Sequence, residues 1–531
     1  MNTKPNILLI LCDDMGYSDI GCFGGEIDTP NLDTLATSGL RMSSMYNCAR
    51  CCPSRASLLT GVYPHQAGVG HMIQNMGHPS YQGYLKDDVV TLAEVLKPAG
   101  YFTGYSGKWH TGGQWKRADG DQLDWRFDDP AHPTPMSRGF DRFYGNLAGG
   151  GSYFNIHLAN EQGLLELPEE FYTTDNYTDA AITMMDEAID SEKPFFVHLC
   201  YNAPHWPLHA LPEDIVKYTG RYREGWDAVR TARHEELKGL DILSNKWEIS
   251  PRDEEAPPWA DAGNHDWEDA RMAAYAAMVD RMDRNIGRAM ARLRERGVLD
   301  DTLIIFLSDN GGCAEPVGVG PRAMEIQSTP DGVPMKFGNR QDLLPGSADT
   351  FMSYDLPWAN ASNSPFRRFK HWVHEGGIST PFIAHWPNRI RPEGSSGSIR
   401  HEACHLVDIT ATIYDVCGAS YPAEYGGKSI MPAEGESFAA LFDDKDWTRE
   451  QPIGFEHEGN CALRESEYKL VRLYDKDWEL YDMSADRTEL HDLSDRMPER
   501  RAQMIGRYEE WAERCEVRPF GEIVSKHRSR R

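Results

Sequence analysis

The sequence predicts an α/β protein in which a large, mostly parallel sheet lies between helices on both faces, followed by a small C-terminal antiparallel sheet with one helix. Three observations carry this. The runs Asn6–Leu11, Phe195–Cys200 and Thr302–Leu307 are largely apolar rather than alternating, as strands buried on both faces are. Helical patterns alternate with these strands, which argues for parallel neighbours joined by crossovers. Beyond about Lys445 the texture changes to short segments, Ala462–Glu465, Lys469–Tyr474 and Trp478–Tyr481, before a charged helix from Pro498 to about Cys515. The expected units are therefore residues 1–445 and 446–531.

Each element follows from its residues. Asn6–Leu11 is far shorter than a membrane span and is followed at once by Asp13 and Asp14, so it reads as a buried strand and not as a signal-peptide core. Pro30–Ser38 is a short helix closed by Gly39, and Arg41–Tyr46 a strand. In Cys51–Gly61, Pro53 suits a first helical turn, Leu58 and Leu59 can face a core, and Gly61 can end the helix with positive φ. Cys51 then sits at a helix mouth that favours developing negative charge, with Arg55 in the first turn. Thr91–Lys97 is a helix ending at Pro98 and Gly100, and Tyr101–Tyr105 a strand. From about Trp267 to Arg296, Tyr275, Val279, Met282, Ile286, Met290 and Leu293 recur at helical steps, and Gly297 closes the pattern. Pro381–Ala384 is a shorter strand and Leu406–Val416 a helix. Tyr218–Asn264 and Gly312–Pro365 lack clear periodicity, which suggests insertions around an active-site mouth. Lys526–Arg531 reads as a solvated basic tail.

Lys plus Arg total 55 against 82 Asp plus Glu, a net charge of −27, which argues against nucleic acid or an anionic membrane as partner. An anionic substrate would need a local basic pocket. The 11 cysteines are odd in number and scattered, with only Cys48, Cys51 and Cys52 clustered, so reduced thiols are expected and no disulfide scaffold. The chain as given reads as cytoplasmic; one trimmed of a leader would read the same.

Polar clusters follow four of the strands: Asp13 and Asp14, Lys108 and His110, His205, and Asp309 with Asn310. Sites in open parallel sheets form beyond the carboxyl ends of strands, so these residues are expected in one crevice. Asp13, Asp14, Asp309 and Asn310 offer oxygen ligands alone, which suits a hard cation, Ca²⁺ before Mg²⁺. A rival reading is a non-catalytic thiol protein holding a soft metal through Cys48, Cys51 and Cys52, which would need a fourth soft ligand.

The string Cys51-x-Pro53-Ser54-Arg55-x-x-Leu58-x-Thr60-Gly61 closely resembles the signature of the formylglycine-dependent, type I sulfatases, arylsulfatase-like members of the alkaline phosphatase superfamily. Ser308–Gly311, Gly107–His110, Ala203–Pro207 and Lys370, five residues before Glu375-Gly376-Gly377, resemble further motifs of that family. The resemblance runs from about Asn6 to Pro387 and more weakly to Trp478–Asp482. It implies an alkaline phosphatase-like fold and hydrolysis of aryl or carbohydrate sulfate monoesters. It also implies that Cys51 is oxidised to formylglycine by a formylglycine-generating enzyme that reads Pro53 and Arg55. The modified residue would bind calcium with Asp13, Asp14, Asp309 and Asn310. Its hydrate would attack sulfur, with Asp309 taking the proton and Arg55 and the cation holding the alkoxide. Lys108, His205 and Lys370 would clamp the sulfate, His205 or Lys370 would protonate the leaving alcohol, and His110 would drive the later expulsion of sulfate. Position 52 is unspecified in the signature, so Cys52 is expected to pack. His71, His78 and Glu456–Asn460 are further candidates for the pocket border. A phosphodiesterase or phosphonate monoester hydrolase using the same aldehyde is the alternative function.

Overall fold

The computed structural model describes residues 4–112, 117–118, 122–123, 132–320, 326–391 and 397–529. The basic tail expected at the C-terminus thus falls partly outside the described residues. The large sheet is built on β1 (Asn6–Asp13), β2 (Leu40–Tyr46), β3 (Phe102–Lys108), β4 (Arg142–Asn146), β5 (Phe195–Pro204), β6 (Thr302–Ser308) and β7 (Ser379–His385). With short edge strands it has 11 strands, and the main ones run β2-β7-β6-β1-β5-β3-β4 across it. β1 pairs in parallel with β5 and β6, and β3 in parallel with β5 and β4. β7 departs from the parallel pattern, being antiparallel to both β6 and β2. It enters directly from the short helix Glu375–Ile378 at the carboxyl edge and must run back down the sheet.

The helices that matter for the site are α1 (Pro30–Thr37), α2 (Cys51–Thr60), α3 (Thr173–Asp190), α4 (Gly225–Gly239), α5 (His265–Glu295) and α6 (Leu406–Cys417). Alternate residues of β1 feed two cores. Leu8 and Ile10 join α3 and α5 on one face, while Ile7, Leu9 and Leu11 join α2 and α6 on the other. This is why the strand is apolar from Ile7 to Cys12. Each such buried side chain stabilises the fold by about 1.5–3 kcal/mol, so the central strand is anchored from both sides.

Sequence periodicity missed α3 and α4. α3 went unread although Tyr177, Ala181, Met184, Met185 and Ala188 are its buried face. α4 lies inside Tyr218–Asn264, which is therefore not structureless. Its buried face is Trp226, Arg230, Arg233, His234 and Leu237, helical in spacing but interrupted by two arginines and a histidine, so no apolar pattern marked it. Arg233 is buried because it pairs with Asp19 at 2.6 Å and Glu26 at 2.8 Å. The second insertion carries a helix, Asp355–Ser362, and the paired strands Lys336–Phe337 and Thr350–Phe351.

The C-terminal region forms an antiparallel sheet of β8 (Ile453–His457), β9 (Asn460–Glu465), β10 (Tyr468–Arg472) and β11 (Glu479–Asp482), covered by α7 (Pro498–Arg514). β8 was not foreseen. Lys469 on β10 reaches Glu375 at 2.9 Å and Glu489 at 2.7 Å, and Arg487 reaches Glu375 at 3.0 Å. This buried ion network clamps the small sheet onto the segment that leads from Lys370 into β7. Among the described residues no helix is long and apolar enough to cross a membrane.

Candidate active site

The carboxyl ends of the parallel strands are level with one another. Cys12 on β1 lies opposite Ser308 on β6, Asp13 opposite Pro204 on β5, and Gly107 on β3 opposite Cys200 on β5. The polar residues that follow each strand are thereby delivered to one crevice.

Cys51 is the first residue of α2 and is buried. Ser54 Oγ accepts a 2.9 Å bond from the Cys48 amide, which fixes the approach to the helix, and Gly61 closes it with φ +73° and its N–H on Ser57 O at 2.9 Å. Pro53 falls in the first turn as expected, but Arg55 lies just beyond it. The sulfurs of Cys51 and Cys52 and a ring nitrogen of His110 lie within 4.8 Å of one another. A hydrogen bond from the Cys52 thiol, working against burial and aided by Lys108, His110 and Lys370, holds the Cys51 thiol well below the usual range. Burial and that same bond push Cys52 up. Cys48 faces away, its sulfur 3.5 Å from Ser57 Oγ and 3.5 Å from His405 Nε2. The soft-metal set of Cys48, Cys51 and Cys52 does not form among the described residues.

Asp13, Asp14, Asp309 and Asn310 are all buried and meet beside Cys51. Asn310 Nδ2 donates to Asp14 Oδ1 at 2.7 Å, and the Asp14 amide donates to Asp309 Oδ1 at 3.3 Å. Arg55 braces the group, its Nε donating to Asp309 Oδ2 at 3.0 Å and its Nη1 to the Lys108 carbonyl at 2.9 Å. Asp13 Oδ1 and Asn310 Oδ1 are buried acceptors with no hydrogen-bond partner. Such orphaned buried oxygens are costly unless a cation takes them, so these residues fit a hard divalent ion. Burial raises the Asp13 carboxyl, but Lys108, His205 and Arg55 overrule it and hold it at about 2. Burial and the Asp13 charge push Asp309 well up.

Two lysines and a histidine complete the crevice. Lys108 Nζ donates to Asp13 Oδ2, and Lys370 Nζ lies 2.7 Å from Asp14 Oδ1. His205 Nε2 stands 3.4 Å from Asp14 Oδ2. His110 is held neutral by burial, its pKa down at about 4, and its Nδ1 has no partner. Asp14 and His110 both adopt left-handed backbone, φ +66° and +54°, the kind of strain that clusters at functional sites.

Beside Lys370 opens a cavity of about 660 Å³. Glu255 and Pro257 from the first insertion line it with Glu315, Asp355 and Leu356 from the second, so both insertions shape the mouth. Glu315, paired with Arg50 at 2.6 Å, was missed because nothing in its surroundings is periodic. The Gly149–Gly151 run was also missed, although three glycines after a strand are a readable sign of close approach. A Cβ on Gly149 would sit 2.0 Å from His110 Nε2. Of the border candidates, His71 and Glu458 pair at 2.8 Å near His371, which follows Lys370. His78 bonds with Arg518 and Glu456 with His65, so neither joins them.

A sheet that gathers acids into a cation cup and sets lysines above it suits hydrolysis of an anionic ester, and that is the class to which fold and site point. Known proteins narrow it. The family profile described as sulfatase matches residues 5–419, and one described as N-sulphoglucosamine sulphohydrolase, C-terminal, matches residues 366–510. The chain is 33% identical to an uncharacterised sulfatase of Schizosaccharomyces pombe, over 92% of this chain and 90% of that one. It is 34% identical to an arylsulfatase of Klebsiella aerogenes, over 82% of this chain and 92% of the relative. A crystal structure of Ps i-CgsB in complex with k-i-k-neocarrahexaose superposes with a TM-score of 0.66 at 26% identity, covering 96% of this chain and 93% of the other. The chain belongs to the sulfatase family, in the alkaline phosphatase superfamily, and is a sulfuric ester hydrolase.

Proposed function

We propose that the chain cleaves aryl or carbohydrate sulfate monoesters in this crevice, with Cys51 converted to formylglycine and calcium as resident cation, Mg²⁺ being the alternative. The observation that carries the reading is the convergence of an oxygen-only cup, two lysines and two histidines on the first residue of α2. Asp13, Asp14, Asp309 and Asn310 would hold the cation together with the modified side chain at position 51. When present, the hydrated aldehyde supplies a nucleophilic hydroxyl with a second hydroxyl on the same carbon, and the cation supplies stabilisation of negative charge.

The remaining work falls to the chain's own side chains. Lys108, His205 and Lys370 bind the sulfate oxygens. Asp309 accepts the proton of the attacking hydroxyl, kept in place by Arg55. His205 or Lys370 protonates the departing alcohol, and His110, beside Cys51, accepts the proton of the second hydroxyl when sulfate is expelled. The cavity beside Lys370 has the size of a small-molecule site and room for one or two rings of the alcohol. Relatives named as arylsulfatases, and a similar structure in complex with k-i-k-neocarrahexaose, support aryl and carbohydrate alcohols alike. We read residues 1–445 as the catalytic unit and 446–531 as a C-terminal unit, supported by the four-stranded sheet and helix of the latter.

The test is turnover of nitrophenyl sulfate, a panel of sulfated sugars and an aryl phosphate diester by the purified protein. Sulfate esters should be hydrolysed fastest and Cys51→Ala should abolish it. A phosphate diester turned over faster than every sulfate would overturn the reading.

A further inference from the structure

The β8–β9 hairpin turns through Glu458 and Gly459, since His457 pairs directly with Asn460. Glu458 adopts φ +50°, and this left-handed backbone directs its carboxylate at three imidazoles. His71 Nε2 lies 2.8 Å from Glu458 Oε1, His371 Nδ1 3.2 Å from Glu458 Oε2, and His457 Nε2 3.9 Å from Glu458 Oε1. Ligand atoms of His371, His457 and Glu458 are all within 4.8 Å of one another. The four residues come from three separate parts of the chain: the loop after α2, the loop that carries Lys370, and the hairpin.

A simple hydrogen-bonded network accounts for part of this. Glu458 can accept from His71 Nε2 and from His371 Nδ1, which leaves His71 Nδ1 buried without a partner. It does not account for His457, which is fully buried with neither ring nitrogen hydrogen-bonded and with Nε2 turned toward the Glu458 carboxylate. Buried polar atoms are almost always satisfied, so a ring left without a partner in such company points to a ligand. Tetrahedral zinc bound at about 2.0–2.1 Å sets its ligand atoms about 3.3 Å apart, and the contacts around Glu458 span that value. Arg50, a positive charge felt by His457 that would oppose a cation, is already paired with Glu315 at 2.6 Å.

We propose that His371, His457 and Glu458 form a second metal site, with His71 against the Glu458 carboxylate as a fourth ligand once an ion is bound, for a borderline transition ion of the Zn²⁺ class. Imidazoles with one carboxylate select such an ion, whereas the oxygen-only cup beside Cys51 selects a hard one. With three protein ligands gathered and His71 beside Glu458, the role of the site is to pin the C-terminal hairpin to His371 and so hold the neighbouring Lys370 over Asp14.

The experiment is titration of chelator-stripped protein with Co²⁺, in saturating Ca²⁺, followed by visible absorption and by metal analysis after desalting. Wild type should bind one Co²⁺ per chain with the absorption of a four-coordinate, imidazole-ligated ion, and Zn²⁺ should displace it. Glu458→Gln and His71→Ala, both at partly exposed positions, should weaken this binding about a hundredfold or more while circular dichroism remains native. Asp309→Asn, which alters only the hard-cation cup, should leave it unchanged. No Co²⁺ bound by wild type, or equal binding in Glu458→Gln and His71→Ala, would overturn the proposal and leave the cluster as a hydrogen-bonded border of the pocket. The outcome is independent of whether Cys51 becomes an aldehyde.

Discussion

Lys370 Nζ lies 2.7 Å from Asp14 Oδ1 and 2.8 Å from Asp14 Oδ2, a buried pair that joins the loop before β7 to the end of β1. Removing either partner strands the other in a dry site, so their effects should not add. We expect Asp14→Asn and Lys370→Ala each to lower kcat/KM, and the double variant to be less impaired than the product of the singles by at least about 1 kcal/mol. Strict additivity in a double-mutant cycle would show that the pair does not act as one unit.

Cys51 should be an aldehyde in active protein. Peptide mass spectrometry across Asn47–Gly61 should find a residue lighter than cysteine that reacts with hydrazine. Cys51→Ala should be inactive yet fold normally, while Cys52→Ser should keep both the aldehyde and most of the activity. Full activity with unmodified Cys51 would remove the nucleophile from the proposal.

The oxygen cup should hold one divalent hard cation. Asp13→Ala or Asp309→Ala should lose the ion and the activity together, read by elemental analysis and turnover of the same sample. Stoichiometric zinc retained in Asp309→Ala would speak only for the histidine cluster, whereas calcium retained there would contradict the cup.

His205 and Lys370 stand over Asp14, whereas His110 touches Cys51, so they should act at different stages. Loss of a general acid matters most when the leaving alkoxide is basic. His205→Ala should therefore slow an alkyl or sugar sulfate far more than nitrophenyl sulfate. His110→Ala should slow both alike and let sulfate accumulate on the enzyme. Equal losses on both substrates for His205→Ala and Lys370→Ala would leave them as binding residues.

Glu375 should make stability depend on acid. Burial would raise its carboxyl, but Lys469 and Arg487 hold it at about 2. Its unfolded value is about 4.3, so its contribution, about 3 kcal/mol, is complete above that pH and is lost as pH falls toward 2. Glu375→Gln leaves Lys469 with Glu489 alone and should cost about 3–5 kcal/mol at pH near 7 in urea melts. It should also flatten the loss of stability between pH of about 5 and 2. An unchanged acid profile would mean that the clamp is carried by other groups.

Much of this was written in local sequence. The apolar run Asn6–Leu11 declares a strand covered on both faces, because only such a strand has no side to give to water. The residues just past each such run declare a crevice, because parallel strands end together. The string from Cys51 to Gly61 declares a helix with a thiol at its mouth, since proline, leucines and glycine each suit one helical position. These features are short-range, and short-range rules of chain geometry suffice to read them.

What tertiary structure alone decided are the partnerships. The buried face of α4, which carries Arg230 and Arg233, has no apolar period, and the distant Asp19 and Glu26 explain the burial of Arg233. The reversed direction of β7 depends on where the preceding loop enters the sheet. The meeting of Glu315 with Arg50, of Gly149 with His110, and of His71, His371, His457 and Glu458 depends on side chains brought together from remote segments. Such contacts are set by packing and charge compensation in three dimensions, and no local pattern of residues records them.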